Sequence, residues 1–152
     1  MFYVHIKQNL QRTDHKNFKM IAPNDTVNYA EIFGKTENHL CFLSERIAIH
    51  KQMKHAYFAL QNAAKTQGFE LQIASGFRSF ERQLIIWNNK FSGKTALKRV
   101  TGEVINPKDL SERQLIKQIL LYSALPAASR HHWGSDIDVY APNFLAKNEQ
   151  LQ

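Results

Sequence analysis

A single cysteine, Cys41, occurs in the 152 residues, so no internal disulfide can form and a thiolate zinc cluster is excluded. Its expected role is that of a buried apolar filler. Long apolar runs are missing as well. Nowhere do about 18 apolar residues follow one another, and the opening MFYVHIKQNLQRTDHK lacks the apolar stretch of a signal peptide. As written, the chain reads as cytoplasmic with no transmembrane segment; the periplasm or cell envelope is the alternative if a leader has been removed. Acidic residues are outnumbered, 13 against 20 Lys and Arg, for a formal charge of +7. That excess favours an anionic neighbour, whether nucleic acid, lipid or an acidic wall polymer. The basic residues are scattered, however, and no RNA- or DNA-binding motif is present, so nucleic acid is not the expected partner. No internal repeat and no low-complexity tract is found.

What is there suits one folded domain over residues 1–152: 43% of the chain is hydrophobic and 22% charged. Phe2, Val4 and Ile6 alternate with polar residues as in a short strand. From Ser44 to Gln67, Ile49, Met53, Ala56, Leu60 and Ala63 recur at helical spacing, and Gly68 supplies the stop. A strand around Leu71 and Ile73 leads into the small residues of SGFRS. Ser79 then caps a helix carrying Phe80, Leu84, Trp87 and Phe91, which Ser92 and Gly93 end. Residues 94–110 read as a polar surface excursion. Ser111 and Gln114 form a capping box for a third helix running to about Ser123, before Pro126. In the last pattern, Ile137 and Val139 alternate with Asp136, Asp138 and Tyr140, predicting a strand with its apolar side chains in the core and both aspartates on the other side. The expected class is α+β, a small antiparallel sheet with about three packed helices.

Two clusters carry chemistry. In SRHHWGSDID, residues 129–138, His131 precedes a glycine turn and Asp138 lies on the strand after it, so that Gly134 lets both side chains converge on one point. A catalytic zinc takes three nitrogen or oxygen ligands and keeps one position for water, and these two could be among them. The local cluster leaves two readings equally open: a metal site, or a satisfied core histidine beside a turn-capping aspartate. Trp133 is expected to pack in the core. In SGFRSFERQ, residues 75–83, a turn presents Arg78 at a helix start, where its fork of donors suits a peptide carboxylate or a developing oxyanion. A surface salt bridge is the alternative.

The two clusters together resemble the SGYRS-x-x-x-Q and S-x-H-x-x-G-x-x-x-D signatures of the VanY-like D-alanyl-D-alanine carboxypeptidases, zinc peptidases that share a metal core with the hedgehog signalling domain. Order and separation match too. The resemblance implies one Zn2+ ion held by His131 and Asp138, with Arg78 as the anchor of substrate or transition state. It implies contacts to the substrate from Gln83 and Ser129, or helix-face and turn roles for them instead, and support behind the site from Ser75, His132 and Asp136. It implies hydrolysis of the C-terminal D-Ala from a peptidoglycan stem peptide, pentapeptide (D,D) or tetrapeptide (L,D). The alternatives are a phage-type endopeptidase, or a metal-free module that binds wall peptides.

One part of the family pattern is missing. The E-x-W-H segment that brings the catalytic Glu and the third ligand His does not occur, and the chain ends fourteen residues after Asp138. The tail holds Glu149, a poor candidate for the base, and no histidine; His5, His15, His39, His50 and His55 follow no ligand pattern. The expectation is a domain lacking its C-terminal portion. It would be weak or inactive as given, with an exposed sheet edge that invites self-association.

Overall fold

Where a single helix is expected from Ser44 onward, the chain first makes a hairpin. In the computed structural model, which describes residues 28–145, a short helix α1 (Tyr29–Ile32) is followed by β1 (Leu40–Phe42) and β2 (Ala48–His50), paired antiparallel with Cys41 opposite Ile49. The expected strand at Phe2–Lys7, and Glu149, lie outside the described residues. The Ser44 hydroxyl accepts from the Arg46 and Ile47 amides at 3.3 and 3.2 Å, a serine turn that reverses the chain before any helix can start. Ile49 has no exposed surface. Its spacing from Met53 imitates a helical repeat, but its burial comes from the strand. Cys41 is only half-buried.

The helix itself, α2 (Met53–Thr66), buries a different face from the one expected. Tyr57 is its buried residue, with Met53, Gln61 and Ala64 half-buried on the same side, while Leu60 is 39% exposed. A polar residue sits in that stripe because Gln61 donates to the Leu71 carbonyl at 3.0 Å, which ties the helix to the strand after it. A hydrophobicity count cannot register such a bond.

Strand β3 (Gln72–Ser75) leads through Gly76 into α3 (Phe80–Phe91), capped by the Ser79 hydroxyl accepting from the Arg82 amide at 3.2 Å. A Cβ on Gly76 would collide with the Ala48 carbonyl oxygen, so this turn presses against β2 only because glycine is there. The polar stretch 94–110 is more than a surface excursion. It folds into a hairpin of β4 (Leu97–Lys98) and β5 (Val104–Ile105), whose paired Leu97 and Ile105 are 3% and 7% exposed. Two strands of two residues each are too short to show a period in sequence. Helix α4 (Glu112–Leu120) carries the expected Ser111–Gln114 capping box and adds Leu115 and Ile119 to the same cluster, against which Trp87 and Leu110 pack.

Strand β6 (Asp138–Tyr140) returns to pair with β3, placing Val139 opposite Ile73 and, after a bulge, Asp138 opposite Ser75. The fold is therefore mixed, with four helices and antiparallel pairs spread over three two-stranded sheets among the described residues. Two expectations fail near β6. Val139 is 41% exposed because its face of the small sheet is only partly covered, and Trp133 is 49% exposed because the neighbouring His132 takes the inward position instead. No helix among the described residues is long and apolar enough to cross a membrane.

Candidate metal and substrate site

His131 and His132 sit in a one-turn 3-10 helix (Arg130–Trp133), where successive side chains point about 120° apart. The turn ends at Gly134, whose φ of 69° is left-handed. A Cβ there would lie 2.8 Å from the Leu40 side chain and 2.9 Å from the His50 nitrogen, and the Gly134 carbonyl accepts from that same nitrogen at 2.8 Å. The β1–β2 hairpin, whose second strand the spacing predicts as helix, is thus what fixes the turn.

The two adjacent imidazoles do different work. His132 is fully buried. Its Nδ1 stands 2.6 Å from the Arg78 carbonyl and must donate; its Nε2 accepts from the Ala127 amide at 3.1 Å. Both nitrogens are spent, so His132 holds the site together and cannot ligate a metal. Burial, the largest influence, pushes its pKa below the ordinary histidine value. Ala127 is held at a φ of 70°, a conformation rare for a residue with a Cβ, and its bond to His132 helps retain it.

His131 presents the opposite pattern. Its Nδ1 lies 3.1 Å from the Gly76 carbonyl and 2.9 Å from the Asp136 carbonyl, two acceptors that require a proton on Nδ1. In the neutral ring Nε2 then carries a lone pair, and it faces the Asp138 Oδ2 at 3.4 Å. Two electron-rich atoms held at that distance need a proton or a cation between them. Ligand atoms about 2.0–2.2 Å from one tetrahedral zinc stand about 3.4 Å apart, so the pair fits a shared ion. Asp136 supports the imidazole with its backbone, whereas its carboxylate turns outward to Arg130 at 3.4 Å. The expected carboxylate support is thus supplied by a carbonyl.

Arg78 lies between the end of β3 and the start of α3. Its amide donates to the His131 carbonyl at 3.0 Å, tying it to the His131 turn. The guanidinium donates to Gln83 Oε1 at 2.9 Å and to Ser75 Oγ at 3.0 Å. Gln83, with no exposed surface, passes the contact on by donating to the Ala124 carbonyl at 2.6 Å. Burial pushes the Arg78 pKa down and the nearby Asp138 opposes that, yet among the described residues no carboxylate comes within ion-pair distance. Ser129 is 4% exposed, and its carbonyl accepts from the His132 amide at 3.1 Å, so its observed contribution is to the turn. All eight residues singled out from sequence therefore fall in one neighbourhood; the carbonyls of Gly76 and Asp136, which fix the His131 tautomer, left no trace in it.

Residues 46–152 match the family described as VanY, D-alanyl-D-alanine carboxypeptidase. The chain belongs to the VanY family. Similar structures agree on the fold. One is a mutant of a vancomycin-resistance D,D-pentapeptidase VanY from a VanB-type cassette, in complex with Zn(II), at 22% identity and a TM-score of 0.55 over 72% of this chain and 57% of that one. Another is VanYB in complex with D-alanine-D-alanine, at 24% identity and a TM-score of 0.56 over 69% of this chain and 52% of that one. An uncharacterized protein of Haemophilus influenzae is 40% identical over 96 residues, 60% of this chain and 66% of its own length. This VanY-family chain thus spans between half and two thirds of these relatives. Among the described residues no third His, Cys, Asp or Glu joins His131 and Asp138.

Proposed function

We propose that this chain carries the zinc-binding and carboxylate-anchoring part of a peptidase that removes the C-terminal D-Ala from peptidoglycan stem peptides. The observation that carries the reading is the pairing of His131 Nε2 with Asp138 Oδ2 at 3.4 Å, beside a half-buried arginine that has no carboxylate within ion-pair distance among the described residues. Bound there, zinc supplies Lewis acidity towards the scissile carbonyl and a water of lowered pKa. The protein's own part is positional. The Gly76 and Asp136 carbonyls keep His131 in the tautomer whose Nε2 can ligate. Arg78, braced by Gln83 and Ser75, offers the outer faces of its guanidinium to the peptide's terminal carboxylate. That contact fixes the last residue and brings the bond before it to the metal side. Belonging to the VanY family supports this reading, as do the zinc and the D-alanine-D-alanine seen in the two solved relatives.

A catalytic zinc takes a third protein ligand, and the attacking water needs a base. Among the described residues no third ligand joins His131 and Asp138, and we place both the third ligand and the base outside them. The test is zinc content of the purified full chain, together with D-Ala release from a pentapeptide and a tetrapeptide. We expect His131→Ala and Asp138→Ala each to strip the metal; unchanged zinc content in both would sink the ligand assignment. Release from the pentapeptide identifies D,D cleavage, from the tetrapeptide L,D cleavage. Internal cleavage without free D-Ala would favour an endopeptidase.

A further inference from the structure

Helix α3 brings a second cation to the anchor. Lys90 lies two helical turns beyond Gln83, on the same face. Its ammonium is drawn inward to donate to the Ser123 hydroxyl at 2.6 Å, and Ser123 is itself 7% exposed. The next residue, Ala124, accepts the Gln83 amide at 2.6 Å, and Gln83 accepts Arg78. Lys90 is thus bonded to this segment directly, and Arg78 reaches the adjacent residue through Gln83.

A lysine normally keeps its head in water while its stem covers apolar surface. Here the head is half-buried, bonded to a neutral hydroxyl, and among the described residues no carboxylate pairs with it. Burial and, after it, the charge of Arg78 push the Lys90 pKa down. The neighbourhood holds two partly desolvated positive charges, and the one carboxylate that acts on Arg78, Asp138, faces His131. Among the described residues no carboxylate lies within ion-pair distance of either cation.

We infer that Lys90 and Arg78 together form the subsite for the peptide's free C-terminal carboxylate, with Lys90 setting the preference for a charged over an amidated end. The inference rests on the proposed function. Its closing measurement separates the two.

The probe is an N-acetylated peptide ending in D-Ala-D-Ala, as the free acid and as the C-terminal amide, titrated calorimetrically into the full chain. Lys90→Gln can still donate to Ser123 but carries no charge; it should weaken binding of the acid about tenfold and leave the amide unmoved. Lys90→Arg should restore most of the loss, and added salt should erode the acid preference of the wild type more than that of Lys90→Gln. Equal weakening of acid and amide would make Lys90 a strut for the 121–128 segment and overturn the inference. So would an unchanged acid preference in Lys90→Gln, with the anchor role of Arg78 left standing. A wild type that does not distinguish acid from amide would overturn the anchor reading and this one with it. Should Lys90→Gln prove poorly folded by thermal melting, Ser123→Ala, which frees the ammonium but keeps it, should retain the acid preference; its loss there would equally mark a strut.

Discussion

The region around Ile119 and the region around His131 are held by different physics. The first is apolar: Leu97, Ile105, Leu115 and Ile119 pack with Trp87 and Leu110, and their contribution scales with the surface they remove from water. The second is polar and bonded across the chain. His131 reaches Gly76, 55 residues away, and His132 reaches Arg78, 54 away. The apolar region can lose a methyl group and relax. The polar region leaves an orphan donor or acceptor when one partner goes. A cluster of oil fixes stability, then, while a lattice of backbone carbonyls fixes where a lone pair points.

The largest effect expected on stability lies on the apolar side: Ile119→Ala should cost about 2–5 kcal/mol in urea unfolding, while zinc bound per folded molecule stays the same. Coupled loss of zinc affinity would show that the two regions are not separable. On the polar side, His132→Leu leaves the Arg78 carbonyl and the Ala127 amide unpaired and should cost about 1–3 kcal/mol. Unlike the Ile119 change, it should also loosen peptide binding, because Arg78 is tied through that carbonyl. A stability loss with unchanged peptide affinity would count against the tie.

Acid offers a milder probe of the same contrast. Burial depresses the pKa of His132, and that of the buried His39, where Glu31 partly opposes the shift. Both are neutral in the fold, so above the unfolded histidine value of 6.5 they add no pH dependence. As pH falls through 6.5 toward the lower folded values, the unfolded chain takes up protons that the folded one refuses, and stability declines. Urea midpoints at pH 7.5, 6.5 and 5.5 should fall in that order; a flat series would contradict the neutral assignment. Smallest of all should be Asp136→Asn, within about 0.5 kcal/mol, since the carbonyl rather than the carboxylate supports His131. Zinc affinity should be equally unmoved, and a tenfold loss would return the support to the carboxylate.

Residue types with local partners were legible in advance. Ser79 caps α3 and Ser111 with Gln114 opens α4 because each bond closes within three residues of chain. Arg78, His131 and Asp138 were singled out through the resemblance of two short motifs; their residue types alone left a metal site and a satisfied core histidine equally open. The hairpin at residues 40–50 was not legible, because Ile49 satisfies a strand and a helical repeat equally well. Leu97 and Ile105 were hidden in a polar stretch too short to show a period.

What the sequence determined by itself was therefore a set of local commitments: the caps, the turns, and the presence of an imidazole, a carboxylate and a guanidinium in two short motifs. Only the tertiary structure decided which imidazole faces the carboxylate. Trp133 and His132 could each have turned inward; His132 did because the Arg78 carbonyl and the Ala127 amide offer it one acceptor and one donor, a match no indole could make. The same packing sets Gly76 and Asp136 against the Nδ1 of His131. Which nitrogen of His131 is left facing Asp138 is set by what the other one touches, and one of those two partners, Gly76, lies 55 residues away in the chain.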